Sequence, residues 1–255
     1  MKKSIPLFSM AVLAAVVFFA FFAGGREVNV LVFSKTAGYR HASIEDGIAA
    51  IKKLGQAQGF RVDATEDAAL FTEKTLQAYN VIIFLSTTGD VLNEAQQTAL
   101  QGFVQAGGGF VGVHAAADTE YDWPWYNELV GGWFKGHPNN PNVREGVLHV
   151  ADATHPSTEG LPEIWTHTDE WYDYKDFKEG AVNVLLLADE TSYKRPEEKP
   201  AAEPRPIAWY RAFDGGRTFY TGLGHTNESF SEPLFLAHLL GGIEYAAGEG
   251  KPANE

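Results

Sequence analysis

The chain has 255 residues, 45% of them hydrophobic and 13% aromatic, enough for one large domain with a substantial core. A formal net charge of −13 without any basic cluster argues against nucleic acid and anionic membrane surfaces as partners. The absence of cysteine excludes disulfides, thiolate metal sites and cysteine nucleophiles.

Residues 1–25 have the pattern of an export signal. Lys2 and Lys3 precede an apolar run from Ile5 to Phe22, and the small residues Ala23, Gly24 and Gly25 follow. Phe21 spoils the cleavage site, and the run approaches the ~20 residues of a membrane span. A cleaved signal and an N-terminal anchor through residues 5–22 therefore both stand. Either way the expected location is periplasmic or extracellular, and the folded domain is expected over 26–250.

The spacing then predicts alternating strands and helices. Val28 to Phe33 reads as a strand. Ile44, Ile48, Ile51 and Leu54 share a helical face that ends near Gly59. Phe60, Val62 and Ala64 alternate as a second strand, a short helix lies near Thr72 to Ala78, and Val81 to Leu85 is a strand apolar on both faces. Asn93 caps a helix that buries Ala99, Leu100, Phe103 and Val104. Continuous apolar strands between helices mean a mainly parallel sheet covered on both sides, a flavodoxin-like three-layer α/β/α domain.

The fourth strand, Phe110 to Val113, ends at His114 and is followed by Ala115, Ala116 and Ala117. Glycines before it and small residues after it have the layout of a nucleophile elbow, which lifts one side chain over the carboxyl edge of the sheet. Such turns normally carry Ser or Cys. With an imidazole at the tip, the expected chemistry is acid–base or metal chemistry, not acyl transfer.

The second half is less regular. Residues 118–145 are rich in aromatics and glycine, and strand-like runs return at Val147 to Val150, Ile164 to Thr168 and Val182 to Leu187. Ser192 to Pro206 reads as an exposed loop, Ile207 to Phe213 and Arg217 to Tyr220 as a hairpin, and Ser231 as the cap of a last helix with Pro233 in its first turn. Polar segments follow the strands: Ser34 to His41, Ser86 to Asp90, His114 with Asp118, His167 to Tyr172 and Gly222 to Glu228. In a parallel sheet such strand ends meet at one edge.

Six segments in order carry a family resemblance: Lys35-Thr-Ala-Gly-Tyr-Arg-His41, Gly108-Gly-Phe-Val-Gly-Val-His114, Gly131-Gly-Trp-Phe-Lys-Gly-His-Pro138, His155-Pro with Gly160-Leu-Pro162, Asp169-Glu-Trp-Tyr172, and Tyr220-Thr-Gly-Leu-Gly-His-Thr226. From about Val28 to Ala247 the chain resembles the trehalose-utilisation (ThuA-like) family of the class I glutamine amidotransferase-like superfamily. That resemblance implies carbohydrate metabolism, with a disaccharide or keto-glycoside as the small-molecule partner. In the amidotransferases the elbow holds a cysteine activated by a histidine near the chain end. Here His114 stands in place of that cysteine and His225 resembles the later histidine in placement, so cysteine-dependent glutamine hydrolysis is lost.

The expected catalytic set is His114, His225 and Glu170, suited to proton transfer or to holding a divalent metal, with zinc first. Lys35, Arg40, His41, Asp118, His137 and Asp169 are expected to bind substrate, and Trp123, Trp125 and Trp171 to stack on sugar faces. His149 and His238 read as structural. The activity expected is hydrolysis, elimination or isomerisation of a sugar. The alternative is a non-catalytic carbohydrate-binding protein, in which the same residues only hold the ligand.

Overall fold

The computed structural model describes residues 28–248. The export signal and its apolar run lie outside these residues, and no helix among the described residues is long and apolar enough to cross a membrane. The first half alternates as expected: β1 (Asn29–Phe33), α1 (Ile44–Gln58), β2 (Arg61–Thr65), α2 (Glu73–Leu76), β3 (Val81–Leu85), α3 (Glu94–Gln105) and β4 (Gly109–Val113). Gly59 closes α1 in the left-handed conformation at φ 85°. Asn93 and Gln96 form a capping box at the start of α3.

After a 3-10 turn over His114–Asp118 come α4 (Pro124–Val130), β5 (Trp133–Gly136), β6 (Val143–Val150), β7 (Ile164–Glu170), β8 (Asp173–Lys175) and β9 (Asn183–Asp189). The chain ends with α5 (Glu190–Tyr193), β10 (Arg205–Phe213), β11 (Gly216–Thr221) and α6 (Pro233–Ala246). Two local expectations change. Glu232, not Ser231, precedes α6, because Ser231 closes a separate 3-10 turn by donating its hydroxyl to the Glu228 carbonyl. The stretch expected as a loop from Ser192 begins inside α5, whose cap is the Asp189 carboxylate.

Nine strands form one sheet in the order β2-β1-β3-β4-β11-β10-β9-β6-β7. The first five are parallel neighbours, and the last four extend the sheet by antiparallel pairing. Because β9 and β7 each lie two antiparallel steps from the preceding co-directional strand, seven strands point the same way. Val81, Ile83 and Leu85 of β3 pack with α1 and α6, while Ile82 and Phe84 pack with α3 and α4, so both faces of the central strands are covered. Strands β5 and β8 form a separate two-stranded sheet above the carboxyl edge, which the aromatic sequence of that segment did not reveal.

Four strand spacings separate β7 from β11, about 19 Å in a flat sheet. Yet the Asp169 carboxylate at the end of β7 accepts from the Gly224 backbone N–H, just beyond β11, at 2.7 Å. The antiparallel half therefore curls back over the parallel half, and the register shifts between β10 and β9 at Pro206, Ala208 and Trp209 supply a bend.

The elbow depends on close packing. A Cβ built on Gly112 would lie 2.9 Å from Tyr220 Cδ2 and 3.3 Å from the Ala116 methyl. Gly112→Val is therefore expected to lower unfolding free energy by about 1–3 kcal/mol through overpacking. Urea denaturation measures this, and an unchanged midpoint would show that the elbow has slack.

Candidate functional site

His114 leaves β4 with φ at 50°, an uncommon backbone for a residue with a side chain and one characteristic of strained functional turns. The ring is fully buried, and its Nδ1 lies 2.8 Å from the Gly222 carbonyl. That carbonyl accepts the Nδ1 proton and leaves Nε2 facing the neighbouring groups. Nε2 lies 3.2 Å from His225 Nδ1 and 3.4 Å from Glu170 Oε2. His225 Nδ1 is itself 3.2 Å from that same oxygen. The three residues come from β4, the loop after β11, and the end of β7.

His41, from the loop after β1, completes the group. One ligand atom from each of His41, His114, Glu170 and His225 lies within 4.8 Å of every other. Sequence reasoning assigned His41 to substrate; the structure puts it among these four, with its buried Nδ1 lacking any hydrogen-bond partner. Burial, with His114 and His225 close by, pushes its pKa down to about 3 and keeps the ring neutral. Burial also opposes charge on Glu170, but His114, His225 and the Asn142 amide, which donates at 2.6 Å, outweigh it and hold the carboxyl well below the usual range. Burial lowers His225 in turn, yet Glu170 more than compensates and raises it.

Three neutral-capable imidazoles and one carboxylate form a donor set suited to zinc and similar divalent ions. Tetrahedral zinc with bonds of about 2.0–2.1 Å places neighbouring ligand atoms about 3.4 Å apart. The separations of 3.2, 3.2 and 3.4 Å among His114, His225 and Glu170 fit this, as does the unpartnered nitrogen of His41.

His137 Nε2 lies 3.4 Å from the other Glu170 oxygen. Its side chain is 24% exposed, against 0% for His114, so the group is approached past His137 and His225. The ring of Tyr172 lies 4.2 Å from His114 and 4.3 Å from Phe134, and the exposed Tyr39 meets His41 edge-on. These rings form the aromatic wall. The tryptophans expected there are elsewhere. Trp123 and Trp125 stack on each other, and the Trp125 indole donates to Asp214 in the β10–β11 turn at the opposite edge of the sheet. Trp171 is buried, stacks on Tyr193 and donates to the Arg144 carbonyl. Each indole is held by the fold and not by an open face.

Three polar assignments also change. Lys35 donates to the Val91 carbonyl, and Arg40 bridges Glu45 and Glu66 at the surface, so both tie loops together. Asp169 is fully buried. Its carboxylate accepts from the backbone N–H groups of Glu170, Gly224 and His225, and lies 3.1 Å from His167 Nε2 and 3.2 Å from Ser229 Oγ. It supports the site from below. His167, Asn142 and Ser229 were missed by sequence reasoning, although His167 and Asp169 stand two apart and so share one face of a strand. A cavity of about 710 Å³ lies at the amino edge between α2 and α3, lined by Phe71, Leu76, Ala99 and Phe103 among others, away from these histidines.

The trehalose-utilisation family model matches residues 29–246, so the chain belongs to that family. No curated protein matches it. Among solved structures it is similar to a ThuA-like protein from Bacteroides uniformis (24% identity, TM-score 0.71, covering 91% of this chain and 96% of that one). A ThuA-like protein from Parabacteroides merdae is similar too (22%, TM-score 0.71, 90% and 93%). A β-galactosidase from Rahnella shares the fold over 89% of this chain and 32% of its own (15%, TM-score 0.56).

His167 faces a carboxylate at each ring nitrogen, Asp169 on one side and Glu232 on the other. Burial works against its charge, but those two partners win and raise its pKa from 6.5 to about 9. A pKa raised on folding gives stability that is complete below about pH 6.5 and is lost as pH rises through about 9. His167→Gln is expected to cost on the order of 3 kcal/mol at neutral pH, by leaving Asp169 buried without its cation. The gap between the two proteins should narrow at about pH 10. Denaturant midpoints across that range test this, and a pH-independent gap would refute the charged pair.

Proposed function

We propose that this family member is an exported sugar-active enzyme that works by histidine-based acid–base or metal-assisted chemistry at the His41, His114, Glu170 and His225 group. The observation that carries the reading is the convergence of four ligand atoms within 4.8 Å beneath a strained elbow. Buried titratable groups gathered in this way are expensive to fold and are characteristic of functional sites. Family membership supports carbohydrate as the substrate class. The basic and apolar pattern of residues 1–25 supports a periplasmic or extracellular location, with or without an N-terminal tether.

In this reading the chain's own groups divide the task. The Gly222 carbonyl holds His114 with its Nε2 facing the group. Glu170 stays ionised and shares a proton with His225, which makes the pair a base for water or for a C–H beside a sugar carbonyl. His137 and Asn142 orient the second Glu170 oxygen. Tyr172, Phe134 and Tyr39 offer apolar faces to a sugar ring. A divalent metal, held by the three histidines and Glu170, would supply Lewis acidity toward a sugar oxygen.

The test is elemental analysis of the purified protein beside turnover of trehalose and of its keto-oxidised form. His114→Ala is expected to abolish both metal uptake and turnover. Its ring is buried and bonded, so the stability loss is about 1–3 kcal/mol, more than an exposed elbow residue would cost. Full turnover in a destabilised His114→Ala protein would show a structural histidine and overturn the reading.

A further inference from the structure

We propose that Asp118 is the proton donor to the departing sugar oxygen when this site cleaves a glycosidic bond. The inference rests on the sugar-cleaving reading above and assigns a group that the four-residue cluster lacks. A cluster centred on an ionised carboxylate can accept a proton, but the leaving oxygen of a sugar needs to receive one.

Every residue from Gly109 to Glu120 is buried except Asp118. The elbow thus hides His114 and presents one accessible acid. Its position is fixed by the backbone: the Gly89 N–H donates to the Asp118 carbonyl at 2.8 Å, and Gly89 bridges to Thr119. The Tyr121 hydroxyl donates to Asp118 Oδ1 at 2.5 Å and also reaches the Phe134 carbonyl at 3.2 Å. Phe134 packs on Tyr172, and Tyr172 on His114, so Asp118 and His114 border one wall. Among the described residues nothing else bonds the Asp118 carboxylate.

Burial raises the Asp118 carboxyl from its ordinary value; Tyr121, His114 and Lys175 pull the other way without cancelling that, and Glu170 adds to it. Lys175 does not pair with Asp118; its ammonium sits over the Tyr121 ring, 4.2 Å from the centroid.

The proton count closes for either route. In hydrolysis, water bonds to the anomeric carbon and gives a proton to Glu170 and His225. The glycosidic C–O bond breaks, and the leaving oxygen takes the proton of Asp118. Solvent then returns a proton to Asp118 and removes one from the base, so one water is consumed and two alcohols leave. In elimination from a keto-sugar, the base takes the proton from the carbon beside the carbonyl. A C=C bond then forms to the anomeric carbon as the glycosidic C–O bond breaks, and the leaving oxygen takes the proton of Asp118; proton exchange with solvent restores acid and base, and no water is consumed.

The test uses the full chain and two leaving groups, 4-nitrophenol and a sugar, in 4-nitrophenyl glucoside and trehalose, each plain and keto-oxidised. Asp118→Asn is expected to lower kcat on the disaccharide by about 10²–10⁴-fold, the usual contribution of a positioned acid. Nitrophenolate leaves without a proton, so its release should fall less than about tenfold. Zinc binding and the melting point should match wild type, and Asp118→Glu should restore part of the disaccharide activity. Equal losses on both leaving groups, or none on either, would overturn the proposal while leaving the sugar-cleaving reading intact. A wild-type protein that turns over none of the four compounds would overturn both.

Discussion

The site exists because one buried carboxylate closes the sheet on itself. Asp169 accepts backbone N–H groups from Gly224 and His225 on one side and from Glu170 on its own strand. Those bonds join the last strand of the antiparallel extension to the loop after the fifth parallel strand, and set Glu170 against His225. Without that closure, Glu170 would lie several strand spacings from the elbow. Burial works against a charge on Asp169, and His167 leads the groups that hold it ionised nonetheless. Its anion then gives two backbone donors in a tight loop a charge-assisted acceptor. Glu232 extends the chain by meeting His167 and accepting from the Trp165 indole, which anchors the start of the last helix to the same network.

Above this layer the electrostatics divide in a consistent way. Glu170 is held ionised by donors, His225 is raised by that anion, and His41 is driven neutral by burial and by the two other imidazoles. Burial also holds the Tyr172 phenol neutral far above its ordinary value, with Glu170 adding to the effect. One anion faced by three buried or half-buried imidazoles is a poor way to stabilise a fold, since buried polar groups rarely repay their desolvation. The same set could hold a cation or a transferable proton. The stability that the lower layer provides through Asp169 and His167 is what permits a strained, partly uncompensated layer above it.

The parallel half was legible because its signals are local and periodic. Val81 to Leu85 is apolar at every position, which only a strand covered on both faces tolerates, and the α3 helix carries its cap in Asn93. The elbow was legible too, since a glycine-rich strand running into His114 and three alanines has few other packings. What the sequence could not show is the curl. Nothing in His137, Asn142 or the Asp169-Glu170 pair indicates that a strand four places from β11 returns to it, because that return is set by bends in β10 and by contacts between distant segments. The tryptophans misled for a related reason. Indole rings are large: Trp171 donates to the Arg144 carbonyl, Trp125 to the Asp214 carboxylate, and Trp123 stacks on Trp125, leaving smaller tyrosine and phenylalanine rings at the site.

A shared fold does not decide the chemistry of this family, and solved structures at 24% identity and below speak to architecture alone. The chemistry has to come from what the elbow holds. A cysteine at that turn would be a nucleophile, needing an exposed sulfur and a base beside it. A histidine at the same turn sits below the surface, one nitrogen committed to the Gly222 carbonyl and the other to the cluster. In the proposed reading His114 is a buried anchor for a base or metal, and the one residue of the turn that is not buried is Asp118. For the sugar cleavage proposed, an acid on one side and a base or cation site on the other is the arrangement that breaking an acetal demands, and it needs no covalent attachment to the protein.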